Sequence, residues 1–298
     1  MTTSVPTPRR VALAGASGTI GAAVLRQLEA EGHSVTVLGR SLLADRAAMA
    51  EALTAARAEV AISCMASRSG APRDAQAVDY EANLALLAAA RQAGAEQFIL
   101  LSAICVQKPL LAFQHAKLAF EAALQASGIT YTIIRPTAFF KSLSGQAKRV
   151  KADKPFLIFG DGNLTRCKPI SDADLARFIV SAIDNAEMSG KILPIGGPGP
   201  AISLRDAGEM LFDVAGKPAR FKSISPRIFT AAGRVLGLGA GLSDWCAEKA
   251  EYARIAHYYA TESMLVLDPA TGEYSADLTP EYGSETLRDH YKALLAGV

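Results

Sequence analysis

"RVALAGASGTIG" occupies residues 10–21, and its reading decides the fold. Residues 10–15 form a short apolar run ending in glycine, the pattern of a buried strand. Thr19 to Ala30 follows with apolar residues at helical spacing, at Ile20, Val24, Leu25 and Leu28. Between them lies "GASGTIG", with glycines at 15, 18 and 21. In a strand–turn–helix context the first glycine permits the tight turn. The second lets the backbone approach a pyrophosphate, and the third lets helix and strand pack closely. The helix N-terminus then offers free N–H groups and partial positive charge to phosphates. Gly15, Ser17, Gly18, Thr19, Ile20 and Gly21 are therefore expected to hold a dinucleotide. A tight turn that binds nothing is the alternative.

The alternation continues outward. Strands are expected at 33–39, 59–67, 97–103 and 130–136, with helices at 41–56, 80–93 and 113–126. Strands that alternate with helices imply parallel βαβ units with right-handed crossovers. The expected fold class is α/β, a Rossmann-type parallel sheet with helices on both faces. Between Arg40 and Glu59 there is one helix and no strand signal, so the strand usual at that place is expected to be shortened or absent. After Pro136 the pattern loosens. Ser171 is expected to cap a helix whose first turn holds Asp172 and Asp174. Residues 1–140 are expected to form the NADP-binding domain. Residues 141–298 would form a smaller substrate lobe interleaved with its sheet.

Composition excludes several classes. Lys plus Arg number 31 against 29 for Asp plus Glu, a net +2 that gives no electrostatic reason to expect nucleic acid. Cys64, Cys105, Cys167 and Cys246 are scattered, with no CxxC pair or Cys/His cluster, so no metal site is expected and a reducing cytoplasm fits. "MTTSVPTPRR" lacks the apolar core of a secretory signal, and no apolar run is long enough to span a membrane. The Ala-, Gly- and Leu-rich segment 228–242 is expected to be a buried or capping helix pair. Peripheral docking on a membrane surface is its alternative.

The end of the second strand selects the cofactor. It carries "LGRS", with Arg40 and no acid before Asp45. An arginine there pairs a 2′-phosphate, so NADPH is expected. Ligands of open α/β sheets lie at the carboxyl ends of the strands. Met65, Ala66 and Ser67 are thus expected near the adenosine-side ribose, and Ser102, Pro136, Thr137 and Phe139 near the nicotinamide. For Ser102, a hydroxyl that merely satisfies a backbone group is an equal alternative. "FQHAK", residues 113–117, places Phe113 and Lys117 on one helix face. In many nucleotide-binding reductases a tyrosine four residues before such a lysine donates the proton. Here that residue is phenylalanine.

Beyond the glycine loop, the chain is similar to a known family. "ISCMASRSG" (62–70), "FILLSAICVQKPLLAFQHAKLAFE" (98–121), "RPTAFFKSLSGQ" (135–146), "FGDGNLTRCKPISDADLA" (159–176), "LPIGGPGPAISL" (193–204) and "YYATESMLVLDPATGEYS" (258–275) carry the likeness. It resembles the NADPH-dependent divinyl chlorophyllide a 8-vinyl reductases, atypical NmrA-like members of the short-chain dehydrogenases. It departs from plant-like members in a shorter 40–59 region, and no plastid transit segment is expected, as would suit a bacterial chain. The resemblance implies reduction of the 8-vinyl group of a magnesium tetrapyrrole, divinyl chlorophyllide a or divinyl protochlorophyllide a, to ethyl.

A conjugated vinyl group explains the phenylalanine. Hydride added to its outer carbon leaves charge spread over the ring, so an immediate strong acid is less necessary than for an alkoxide. Protonation of the inner carbon would come from Lys117, His115 or water. Lys117 could equally hold the nicotinamide ribose, or be a plain surface lysine. Phe113 would offer apolar contact to the flat substrate. Lys141 would pair its carboxylate, and Phe139, Phe140, Phe156 and Phe159 would line an apolar slot. Ordinary core packing is the alternative for each phenylalanine, and a solvated helix face for the lysines of 141–154. A reductase of another aromatic substrate and a non-catalytic NADPH-sensing regulator are the rival functions.

Overall fold

A computed structural model describes residues 7–239 and 243–297. Strands β1 (Arg10–Ala14), β2 (Ser34–Leu38), β3 (Val60–Ser63), β4 (Gln97–Leu101) and β5 (Thr130–Pro136) lie side by side. Two short strands outside this sheet follow, β6 (Phe156–Phe159) and β7 (Arg166–Cys167). The chain then returns with β8 (Lys191–Ile195), so the order is β2-β1-β3-β4-β5-β8, six strands all parallel. Every residue of β3 and β4 is buried. Helices cover both faces, so a continuous apolar run is stable there, without polar alternation.

Period-two alternation divides β1 between two cores. Val11 and Leu13 join Val24 and Leu28 of α1 (Thr19–Ala30) on one face. Ala12 and Ala14 join Met49 and Leu53 on the other. Each such leucine or valine, fully buried, contributes about 1.5–3 kcal/mol of transfer free energy. The segment after β2 forms two helices, α2 (Arg40–Ala44) and α3 (Arg46–Ala55), where one was expected. Asp45 divides them, because its Oδ1 accepts the N–H groups of Ala47 and Ala48 as an N-cap. No strand lies between β2 and β3 among the described residues, so β2 is the sheet edge.

The helix expected at 80–93 starts earlier. After α4 (Pro72–Ala75) comes a wide π turn, Gln76–Ala82, and then α5 (Asn83–Gln92). Asn83, directly after the wide turn, binds back to it and across to β3. Its amide donates to the carbonyls of Val78 (3.0 Å) and Asp79 (3.2 Å), while its Oδ1 accepts from Ser63 Oγ (2.6 Å). Past β4, α6 (Ala112–Gln125) carries "FQHAK".

Beyond β5, α7 (Phe140–Leu143), α8 (Ala147–Lys151) and α9 (Asp172–Val180) follow. Ser171 caps α9 by accepting the Asp174 N–H at 2.9 Å. The second lobe pairs β7 with β9 (Ile202–Ser203), and β6 with β10 (Phe221–Ile224). Its core gathers Phe156, Phe212 of α10 (Leu204–Val214) and Tyr291 of α13 (Leu287–Ala296). Between them stands the hairpin of α11 (Arg227–Leu238) and α12 (Asp244–Thr261). Of the buried or capping pair expected at 228–242, the buried reading fails for α11, which packs on α12. None of its residues is buried, and Ile228, Val235 and Leu238 are exposed, because it packs mainly against α12. Residues 240–242 of that segment, and 1–6 of the stretch read as lacking a secretory signal, lie outside the described residues. Among the described residues no helix is long and apolar enough to cross a membrane.

Candidate active site

The glycine loop is built as its spacing requires. Gly15 adopts φ +84°, and a Cβ there would lie 2.6 Å from the Cys64 carbonyl. A Cβ on Gly21 would collide with the carbonyl of Gly15, so only glycine lets α1 start this close to β1. Gly18 is the N-cap and no side chain caps α1. Ser17, Gly18 and Thr19 are exposed, whereas Ile20 turns into the core. An open, uncapped helix N-terminus on a glycine cradle fits a pyrophosphate. Arg40 is exposed as the first residue of α2, directly past the end of β2.

The other strand ends form the floor. Met65 is buried, Ala66 exposed and Ser67 half-buried. Desolvation pushes the Cys64 thiol up to about 12, against the pull of Lys117, which disfavours the thiolate and suits a packing role. Pro136 and Thr137 are buried. The Thr137 N–H donates to the Ile195 carbonyl and its hydroxyl to that of Lys168. Phe139 is half-buried against the core. Lys141 does not stand apart as a carboxylate partner. Its Nζ donates to Thr19 Oγ1 at 2.8 Å, across the mouth of the glycine loop.

The inner face of α6 carries a polar row. Lys117 Nζ lies 2.9 Å from Asp79 Oδ1, with the Asp79 side chain fully buried. One turn on, buried Glu121 accepts the Ser102 hydroxyl at 2.5 Å. Arg135 donates to the same carboxylate through Nε and Nη2. The Ser102 hydroxyl thus serves a carboxylate rather than a backbone group.

Four expected residues are placed elsewhere. Phe113 is 9% exposed and packs with Ala75, Cys105, Leu111 and Tyr258, so it is not a substrate wall in this structure. The roof over it is α12. Ile255 closes on Phe113 around Gly70, Glu251 Oε1 accepts the Ala112 N–H at 3.0 Å, and the Tyr258 hydroxyl donates to the Cys105 carbonyl at 2.9 Å. His115 is exposed and two residues from Lys117, hence on another helix face, so the pair does not converge. Phe140 is 4% exposed in the second lobe's core, as is Phe156 at 1%. Phe159 remains half-buried, edge-on to Phe229 at 5.6 Å.

Sequence reading missed Asp79, Glu121 and Glu251. Two signals were present. Asp79 and Asn83 are polar residues four apart in an otherwise Ala- and Leu-rich helix, and Glu121 lies four residues past Lys117 on its face. Glu251 lies 139 positions from the N–H it accepts and carries no local signal.

Comparison with known proteins identifies the family of the chain. The family model described as NAD(P)H-binding matches residues 15–186. The chain is 44% identical to the chloroplastic divinyl chlorophyllide a 8-vinyl-reductase of Oryza sativa subsp. indica, over 97% of this chain and 79% of that protein. It is 50% identical to the protein of the same name from Cucumis sativus, over 80% of this chain and 58% of that protein. The solved NADPH-dependent quinone oxidoreductase QOR2 of Escherichia coli superposes with TM-score 0.66 at 19% identity, covering 95% of this chain and 99% of that one, which shows the shared fold. A cofactor cradle on a Rossmann sheet and this identity across both lobes lead to one conclusion: the chain belongs to the divinyl chlorophyllide a 8-vinyl-reductase family and is an NAD(P)H-binding oxidoreductase.

Proposed function

We propose that the protein uses NADPH to reduce the 8-vinyl group of a divinyl chlorophyllide to ethyl. The observation that carries this reading is 44% identity extending over 97% of the chain. Bound NADPH supplies a hydride. The chain's own residues bind and orient it. The open N-terminus of α1 and Lys141 take the pyrophosphate, and Arg40 takes the 2′-phosphate. Lys117, held by Asp79, brings a cation to the strand ends. Lys117 or a water it holds delivers the proton to the inner vinyl carbon, since His115 faces away. No tyrosine is needed at position 113, because charge left on a conjugated vinyl group spreads into the macrocycle. Phe159 and Phe229 supply apolar rings toward the substrate, whose magnesium arrives with it.

The same proposal extends to location. The exposed Ile228, Val235 and Leu238 support peripheral contact of α11 with a membrane surface, which co-flotation with liposomes tests. The activity is tested by mixing protein, NADPH and divinyl chlorophyllide a. The expected result is NADPH consumption with a Soret band moving to shorter wavelength as conjugation is lost. Tight NADPH binding without turnover would instead support an NADPH-sensing regulator.

A further inference from the structure

The π turn at 76–82 is in the wrong place to be incidental. Such turns are rare and cluster at functional sites. Here it turns Asp79 and Asn83 inward together, each 1% exposed. The Asn83 amide turns back to the carbonyls of Val78 and Asp79, whereas the Asp79 carboxylate reaches out of the turn to Lys117. Asp79 Oδ1 meets Lys117 Nζ at 2.9 Å, and both carboxylate oxygens face the Ser67 N–H at 3.4 Å. Ser67 belongs to the loop that leaves β3 toward the expected ribose site. A lysine side chain otherwise explores many rotamers, and ordering it costs free energy. A buried carboxylate that holds the ammonium removes that freedom before cofactor arrives.

We infer that Asp79 is a positioning residue of the reductase. It aims Lys117 across the site and ties that lysine to the Ser67 loop. Asp79 touches neither substrate nor cofactor and acts through Lys117. The inference rests on the proposed role of Lys117 in vinyl reduction.

A double-mutant cycle tests it, using Asp79→Asn, Lys117→Met and the double variant, each as the full chain. With Lys117 present, Asp79→Asn is expected to lower kcat about 30-fold, the scale of a misplaced catalytic group, with KM for the tetrapyrrole changed less than about threefold. The Kd for NADPH should rise about fivefold in that background, one residue's share of ordering. With Lys117 already methionine, both effects of Asp79→Asn should shrink below about twofold, because coupled residues are not additive. Equal losses in both backgrounds, or no loss in either, would overturn the inference. If Asp79→Asn alone fails to fold, because it leaves a buried ammonium unpaired, the neutral double variant still folds. Its comparison with Lys117→Met then decides: equal kcat supports the inference, and a further tenfold drop overturns it. A wild-type protein that binds NADPH without reducing the vinyl group would defeat the activity reading instead. The NADPH half of the cycle would still judge Asp79.

Discussion

Two helix N-termini in this molecule meet opposite fates. At α1 the cap is Gly18, no side chain closes the turn, and Ser17 and Thr19 face solvent. At α6 side chains close the end. Gln114 Oε1 accepts from Leu110 and Leu111, and Glu251 Oε1 accepts from Ala112. Both ends carry the same partial positive charge from the backbone. One is left without a side-chain cap, and the other faces the protein's own carboxylate. A helix N-terminus can take a ligand only where the chain leaves it uncapped, and at α1 a glycine N-cap leaves it so.

The contrast can be broken most forcefully at Gly21. Gly21→Ala places a methyl against the Gly15 carbonyl, so the cradle must open. NADPH affinity, measured by fluorescence titration, should fall about 100-fold, or about 2.7 kcal/mol. Unchanged affinity would mean the cofactor does not use this turn. At the other helix, Glu251→Ala should act on stability instead. Loss of its cap should lower stability by about 2 kcal/mol, or Tm by about 4 °C, with NADPH affinity nearly unchanged. A large loss of NADPH affinity with Tm intact would reverse the assignment of the two ends. Arg40→Ala should reduce the preference for NADPH over NADH about tenfold, one charge-assisted pair's worth. Equal loss for both cofactors would remove the 2′-phosphate from its role. Lys141→Met should weaken both cofactors alike, about fivefold, because it removes one cation beside the phosphate loop. A rise in KM for the tetrapyrrole alone would return Lys141 to the substrate carboxylate.

The same contrast marks what the sequence could show. The open end was legible because strand, glycines and helix are contiguous, and each glycine answers a local steric demand. The missing strand after β2 was legible as a missing apolar run. The closed end was not legible, since Phe113 is roofed by Ile255 and Tyr258 from α12, more than a hundred residues away. Nor could spacing separate Phe139 from Phe140. Adjacent at a strand end, they enter different cores, and only the turn into α7 decides which. Asp79 stood between these extremes. Its polar pair with Asn83 was visible, but the π turn that aims both inward was not.

The most direct test is single-turnover reduction of divinyl chlorophyllide a with NADPH deuterated at the transferring position. The expected product carries one deuterium in the terminal methyl of the new ethyl group and none in its methylene. Label in the methylene, or an ethyl group without label, would contradict direct transfer from NADPH to the outer vinyl carbon.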